Sequence, residues 1–153
     1  LEKLRFGDDF TFKIIIDSNV EPAFIQIPPL IIQPFIENAI KHGLLHKKGI
    51  KTLHIHFEYH EWLKCTITDN GVGRIRSEEI QNRNIVQKSS FATKATEKRI
   101  ALLNKYSDKK FNLQIIDLYQ DQIPSGTKVI IDFPIDSLWT QNGISWIFHL
   151  YPF

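Results

Sequence analysis

The chain has 153 residues, enough for one domain with a sizeable hydrophobic core. Hydrophobic residues make up 42% of it and charged residues 24%, proportions that are typical of a globular protein and exclude a disordered or fibrous chain. There are 19 Lys and Arg against 17 Asp and Glu, so the formal net charge of +2 gives no sign of a strongly basic nucleic-acid-binding protein.

Other features narrow the class further. No apolar run reaches the roughly 18–20 residues of a membrane helix, and no signal peptide opens the sequence. The single cysteine, Cys65, excludes an intrachain disulfide and is typical of a reducing compartment. Because Cys65 lies in an alternating apolar run, we interpret it as a buried structural thiol. The first residue is not Met, so we expect a piece of a longer protein, with residues 1–8 ending a preceding helix.

The first predicted strand covers residues 10–17. Apolar side chains at every second position indicate a strand that is buried on one face, and they are Phe10, Phe12, Ile14 and Ile16.

A helix with two unlike faces follows. Its apolar residues recur at helical spacing and are predicted to face the core: Ile32, Phe35, Ile36, Ala39, Ile40 and Leu44. The opposite face carries Glu37, Asn38, Lys41 and His42, since residues three and four apart are helix neighbours. These groups could hold a metal ion and a polyphosphate. The alternative is a solvated face with a Glu37–Lys41 ion pair.

The ends of this helix follow from its prolines and glycines. Pro34 inside a helix would remove a hydrogen bond, so we expect a kinked or separate opening turn and a regular helix from about Phe35. Gly43 or Gly49 is predicted to end it.

Residues 51–60 and 63–68 are predicted to form a β-hairpin with a turn at Glu61-Trp62. The apolar residues of the first strand point one way, and His54, His56, Glu58 and His60 point the other. A His-x-His pair could ligate zinc. Because no later residue supplies an obvious fourth ligand, we favour a solvated outer face of an antiparallel sheet.

The second strand runs into Asp69-Asn70-Gly71-Val72-Gly73, an acid followed by two glycines. The glycines would let a ligand approach the main chain closely. Taken alone, Asp-Asn-Gly is also typical of a hairpin turn. The pattern extends neither to a dinucleotide-binding motif nor to a P-loop, so a Rossmann fold and a P-loop site are not indicated.

The second half of the chain begins with a polar, poorly periodic stretch, residues 74–94, which predicts a mobile loop or lid. A helix capped by Thr93 or Thr96 is expected to run to about Tyr106. Its inward residues are predicted to be Ile100, Leu103 and Leu102. Strands are predicted at 112–119 and 126–134, around a polar turn at 120–125. The domain is expected to cover residues 9–135, with a tail of uncertain status at 136–153.

Three separated segments together resemble the nucleotide-binding motifs of the GHKL ATPases: residues 37–43, residues 69–73 and Gly126-Thr127. The opening Ile27-Pro28-Pro29 and Gln33-Pro34-Phe35 are similar, more narrowly, to LytS-like sensor histidine kinases. The resemblance covers about residues 1–135. It implies an α+β two-layer sandwich of the Bergerat ATP-binding type, with a mixed, mostly antiparallel sheet covered on one face by helices.

The resemblance also implies roles for individual residues. Asp69 would accept a hydrogen bond from the adenine amine, with Gly71 and Gly73 against the base and ribose and Thr127 completing the adenine contacts. Asn38 would bind Mg²⁺ through its amide oxygen. Lys41 and His42 would contact phosphate oxygens, and Glu37 is the candidate catalytic base. Lys94, Lys98 and Arg99 would add positive charge beside the lid.

As a whole, the resemblance implies a catalytic domain that uses ATP and Mg²⁺ to phosphorylate a histidine on a partner helix of the same or a sister chain. The full protein would be a homodimer and a membrane sensor, with this domain in the cytoplasm and a response regulator as a further partner. No nucleic acid is implied. The phosphoacceptor histidine of the family lies upstream of the matched region.

One departure keeps two alternatives open. Ala92 stands where the family has glycine, and since alanine tolerates a left-handed backbone poorly, we expect impaired closure of the lid on the phosphates. The chain could therefore be a degenerate, non-catalytic nucleotide-binding module. A related protein serine kinase is the other alternative, against which the Pro28-Pro29 and Gln33-Pro34-Phe35 context argues.

Overall fold

A computed structural model describes residues 9–22, 25, 27–28, 30–83, 89–106, 108 and 110–134, apart from the side chains of 78, 80–83 and 89–93. Its five strands form one sheet in the order β1-β2-β3-β5-β4. They are β1 (Phe10–Ile16), β2 (Lys51–Tyr59), β3 (Leu63–Asp69), β4 (Asn112–Gln120) and β5 (Ile123–Phe133). β1 and β2 pair in parallel because a helical crossover joins them, and the other pairs are antiparallel.

The helical elements are α1 (Gln33–Asn38), a π-helical segment (Ala39–Leu44), α2 (Arg74–Arg83) and α3 (Ser89–Tyr106). α1 packs beside α3, and α2 packs against β5 and the π-helical segment. Of the helices within the described residues, none is both long and apolar enough to cross a membrane.

Alternation along the strands places the core on one face of the sheet. The buried strand residues and those of the helices form a single cluster that includes Phe35, Leu44, Leu53, Ile67, Ile100 and Ile131. Cys65 has no exposed surface, and burial raises the pKa of its thiol to about 12, which confirms a structural cysteine. The mixed, mostly antiparallel sheet with helices confirms the predicted α+β sandwich.

The helix between β1 and β2 differs from the prediction at both ends. Pro34 lies in the first turn of α1, where its missing N–H would be unbonded anyway, so no separate opening turn is needed. The helix does not end at Gly43 but widens into the π-helical segment and continues to Leu44. Ile31, not included in the predicted core, is fully buried.

The predicted loop at residues 74–94 is helical where it is described. α2 occupies 74–83, and α3 begins at Ser89 rather than at Thr93 or Thr96. Ala92 therefore lies on helical backbone, where alanine is the most favourable residue, and needs no left-handed conformation. Leu102, predicted to point inward, is 59% exposed.

Two smaller predictions were also wrong. The polar turn at 120–125 shrinks to Asp121 and Gln122, whose φ angles of 51° and 65° give the twist that a two-residue hairpin requires. Ile16, predicted to be inward, is 43% exposed at the end of β1. The predicted linker helix at 1–8 and the tail at 136–153 lie outside the described residues.

Candidate nucleotide-binding site

Asp69 is the last residue of β3 and lies on the core face, because it shares its strand parity with the buried Cys65 and Ile67. Its side chain is only 4% exposed. Burial raises the pKa of the Asp69 carboxyl to about 6, although the backbone N–H groups of Gly71 and Thr127 and the charge of Lys47 act in the opposite direction. Asp69 is therefore a buried acid at the C-terminal end of β3.

Two glycines, Gly71 and Gly126, let the backbone pass close to Asp69, and a third, Gly73, begins the helix that follows. The Gly71 N–H donates to Asp69 Oδ1 at 2.8 Å. A Cβ on Gly71 would lie 2.5 Å from the backbone of Gly43, so no side chain fits there. Gly126 has a φ of +144°, and a Cβ on it would lie 2.0 Å from the Asp69 carbonyl oxygen. Gly73, with a φ of +77°, opens the first turn of α2.

Thr127 is brought beside Asp69 by the pairing of β3 with β5. The two residues are directly opposite in the antiparallel register. Thr127 shares the parity of the buried Val129 and Ile131, so its side chain lies on the same face as the Asp69 carboxyl. The third sequence motif therefore meets the second, although Asp69 and Thr127 are 58 positions apart along the chain.

The first of the three segments, residues 37–43, contacts Asp69 and the loop after it through its C-terminal residue, Gly43. The Val72 N–H donates to the Gly43 carbonyl oxygen at 3.2 Å, and Gly43 lies against Gly71 and the Asp69 carboxyl. The packing of Gly43 was not predicted from the sequence, where this residue was interpreted only as a helix end. π-Helical turns are frequent at functional sites, and this one carries Lys41 and His42.

Glu37 and Lys41 form the ion pair that the sequence offered as an alternative, with Lys41 Nζ 2.7 Å from Glu37 Oε2. Gln33 donates to Glu37 Oε1 at 2.9 Å. The hydrogen bond from Lys41, then that from Gln33, lowers the pKa of Glu37. A lowered pKa makes a weaker proton acceptor, so this arrangement does not favour Glu37 as a base, and that role stays a prediction.

His42 and Asn38 are both half-buried. Burial, followed by the charges of His46 and Lys41, lowers the pKa of His42, which favours the neutral imidazole. A neutral imidazole can still donate one N–H to a phosphate oxygen. Asn38 is the last residue of α1, and its amide oxygen is a hard donor of the kind that suits Mg²⁺.

Asn70 holds the strand end in place, a role that the turn interpretation missed. Its Oδ1 accepts from the Thr52 N–H at 2.8 Å, and its Nδ2 donates to the Ile50 carbonyl at 3.1 Å. Its own N–H donates to the Thr52 carbonyl at 3.2 Å. Residues 69–73 are thus hydrogen-bonded to the start of β2 and lead into α2, so they do not form a hairpin turn.

An ion pair that had no sequence signal ties α2 to the sheet. Arg74 donates two hydrogen bonds of 2.7 Å to the carboxylate of Asp117 on β4, and these hydrogen bonds are the main cause of the lowered pKa of Asp117. Asp117 is opposite Thr127 in the register, so the pair borders the site. Lys94 and Arg99 lie on α3, exposed and half-buried respectively, and the structure gives no contact of theirs to Asp69.

The raised pKa of Asp69 predicts a pH dependence of stability. An acid whose folded pKa of about 6 exceeds its ordinary 3.8 contributes fully below pH 3.8, and this contribution is lost as the pH rises through 6. At about 1.4 kcal/mol per pH unit, the loss is at most about 3 kcal/mol. The side chain of Asp69→Asn cannot titrate. The free energy of unfolding of this variant should therefore increase relative to that of wild type as the pH rises from about 4 to about 7.

Urea unfolding of both proteins across this range measures the difference. Asp108→Asn removes the same charge from an exposed residue between α3 and β4 and serves as the matched control. Parallel plots of unfolding free energy against pH for wild type and Asp69→Asn would contradict the raised pKa of Asp69.

The hydrogen bonds of the Asn70 side chain predict a graded loss of stability in two variants. Asn70→Ala removes both side-chain hydrogen bonds and should cost about 1–3 kcal/mol in unfolding free energy. Asn70→Asp keeps an acceptor for the Thr52 N–H but loses the donor to Ile50, so its unfolding free energy should lie between those of wild type and Asn70→Ala. Hydrogen exchange of the Thr52 amide is the direct measurement. Unchanged protection in Asn70→Ala would show that the hydrogen bonds do not hold this loop.

Comparison with known proteins agrees with the geometry, although no protein-family model matches the chain. LytS of Staphylococcus haemolyticus is 39% identical over 74 residues, which are 48% of this chain and 12% of that protein. LytS of Bacillus anthracis is 24% identical over 135 residues, 88% of this chain and 22% of that protein. The sensor histidine kinase YpdA of Escherichia coli is 37% identical over 75 residues, 48% of this chain and 13% of that protein. The chain thus spans less than a quarter of the length of these relatives.

Solved structures show the same fold. The kinase domain of the blue-light activated histidine kinase of Erythrobacter litoralis superposes with a TM-score of 0.55 at 15% identity, over 87% of this chain and 55% of that one. The mycobacterial sensor histidine kinase MprB gives a TM-score of 0.51 at 16% identity, over 88% and 90% of the two chains. The sequence relatives and the shared fold together support a LytS-like histidine-kinase ATP-binding domain.

Proposed function

We propose that this domain binds ATP with Mg²⁺ and transfers the γ-phosphoryl group to a histidine on a partner helix. The observation that carries the proposal is the buried carboxyl of Asp69, opposite Thr127 and enclosed by glycine backbone, at the end of a strand in a histidine-kinase fold. The sensor-kinase names of the sequence relatives support it.

Adenine recognition follows from the acceptor capacity of Asp69. A carboxylate offers about four lone-pair positions, and the N–H groups of Gly71 and Thr127 use two. The remaining capacity suits the exocyclic amine of adenine, which is a hydrogen-bond donor. The hydroxyl of Thr127, on the same face, would take a second polar contact directly or through a water molecule. The backbone at Gly71 carries no side chain that would keep a flat base away.

The helix face would hold the phosphates and the metal. Asn38 would be the Mg²⁺ ligand, because its amide oxygen is a hard donor and Mg²⁺ is usually bound through one or two protein ligands plus substrate phosphates. Bound Mg²⁺ would neutralise charge on the transferring phosphoryl group. Lys41 can leave Glu37 for a phosphate at little cost, since an exposed ion pair of this kind is worth only about 0.3–0.5 kcal/mol.

The proposed reaction needs partners. The acceptor would be a histidine-bearing helix of the same or a sister chain in a homodimer, and a response regulator would receive the phosphoryl group next. The domain would lie on the cytoplasmic side of a membrane sensor. These proposals rest on the sensor-protein names of relatives of which this chain spans 12–22%.

Asp69→Asn is expected to reduce ATP affinity at least about tenfold, because one acceptor of the buried carboxylate becomes a donor that faces the adenine amine. Isothermal titration calorimetry with ATP and Mg²⁺ measures this, and Asp108→Asn, which removes the same charge from an exposed loop, should bind like wild type. Equal affinities for wild type and Asp69→Asn would refute the adenine assignment.

The second experiment tests phosphoryl transfer. The chain is mixed with radiolabelled ATP, Mg²⁺ and a phosphoacceptor-helix fragment of a related sensor kinase. Acid-labile label on the fragment is expected, since phosphohistidine is hydrolysed in acid. Asn38→Ala should abolish this transfer while ATP binding without Mg²⁺ stays within about twofold of wild type, because adenine is held by other residues.

The outcomes separate the alternatives. Binding without transfer would indicate a nucleotide-binding module, and acid-stable label would indicate a serine kinase. An equal loss of ATP binding with and without Mg²⁺ in Asn38→Ala would contradict a metal role for this residue.

A further inference from the structure

Three potential metal ligands meet on the outer face of the sheet, away from the nucleotide site. His56 and Glu58 are two residues apart on β2 and therefore point to the same face. Asp17 follows the last residue of the neighbouring β1. One donor atom from each of the three lies within 4.8 Å of the others, and His56 Nε2 is 2.8 Å from Asp17 Oδ1.

The backbone holds these donors on a regular frame. β1 and β2 pair in parallel with Ile15 opposite His56. The pairing extends past the strand end, because the Asp17 N–H donates to the Phe57 carbonyl oxygen at 3.0 Å. The three side chains are 24–41% exposed, so they have room to adjust their rotamers and are accessible to a dissolved ion.

A fourth donor stands next to the cluster. His60 Nε2 is 3.8 Å from Glu58 Oε2, while the other oxygen of Glu58 is 3.4 Å from Lys64 Nζ. Lys64 can therefore keep its ion pair with one oxygen while the other is used as a ligand. Two imidazoles and two carboxylates would balance the charge of a divalent cation.

The donor set selects the class of ion. Imidazole nitrogen with carboxylate oxygen is bound by Zn²⁺ and similar first-row ions, whereas Mg²⁺ prefers oxygen donors alone. Zinc–ligand bonds of about 2.0–2.1 Å in a tetrahedron place the ligand atoms about 3.3–3.4 Å apart. His56 and Asp17 would need to separate by only about 0.5 Å from their present hydrogen bond. We propose that Asp17, His56 and Glu58 form a binding site for Zn²⁺ or a similar transition-metal ion, with His60 as the fourth ligand.

This site is independent of the proposed kinase function. Asp69 is opposite Leu53 near the start of β2, whereas His56 and Glu58 lie toward its other end, where Tyr59 pairs with Leu63. The His-x-His pair suggested by the sequence is not the ligand set, since His54 does not belong to the cluster and the third ligand comes from an earlier strand. His54 therefore supplies a matched control on the same strand and face.

The test is calorimetric titration of the untagged chain with Zn²⁺ in excess Mg²⁺. Wild type should bind one Zn²⁺ with a dissociation constant on the order of micromolar or tighter. His56→Ala should weaken binding at least about tenfold, and His54→Ala should leave it within about twofold. Asp17→Asn should also weaken it while keeping a hydrogen-bond acceptor for His56. Circular dichroism of each variant verifies folding.

Cobalt gives a second readout. Co²⁺ bound in a tetrahedral nitrogen and oxygen site should produce visible absorption bands that are displaced by Zn²⁺ and lost in His56→Ala. Zinc binding that survives His56→Ala, or that His54→Ala reduces as strongly, would overturn the proposal, as would the absence of binding in wild type. ATP binding should be unchanged in His56→Ala, so failure of this site and failure of the kinase proposal are distinguishable.

Discussion

The burial of the Asp69 carboxyl is the constraint on which the candidate site depends. Strand parity directs this side chain to the core face at the point where β3 ends. Burial favours the neutral acid, and the N–H groups of Gly71 and Thr127 partly offset this by favouring the charged one. The result is an acceptor in a fixed orientation with little access to water, which is what recognition of a base edge requires.

Close backbone packing makes this burial possible. Gly43, Gly71 and Gly126 approach from the helix, the loop and β5, and at each a Cβ would come within 3 Å of a neighbouring atom. The hydrogen bonds of Asn70 to the start of β2 hold the loop in the required place. The helix and strand motifs are thus joined by main-chain contacts, which explains why small residues occur where the three segments meet.

β2 connects two different environments. Near its start it anchors the loop that follows Asp69, and toward its end it carries His56 and Glu58 on the opposite face of the sheet. The core side of the strand is apolar from Leu53 onward, with Leu53, Ile55 and Phe57 buried. Because successive side chains alternate between faces, one strand can serve the core and the proposed metal site without conflict.

The sequence by itself determined the strands and the hairpin, since these follow from local periodicity, whereas the class of fold was implied by the resemblance to the GHKL ATPases. Alternation located β2 and β3 to within about a residue, and the buried face of β2 and the burial of Cys65 on β3 were predicted correctly. It also indicated three candidate nucleotide-binding segments, because the residue types at Asp69, Asn38 and Thr127 resemble a family pattern. Periodicity failed at residues 74–83 and 89–94, where a polar sequence forms parts of two helices that pack against the rest of the domain.

Only the tertiary structure decided which of these residues meet. The register of β3 and β5 puts Thr127 beside Asp69, and the π-helical segment brings Gly43 against Gly71. The pairs Arg74–Asp117 and Asp17–His56 join residues 43 and 39 positions apart, and no local pattern carries such information. The physical reason is that the chemistry of a residue is given by its type at one position of the sequence. Which residues are paired across strands depends instead on long-range packing, which fixes both the register of the strands and the face on which each side chain lies.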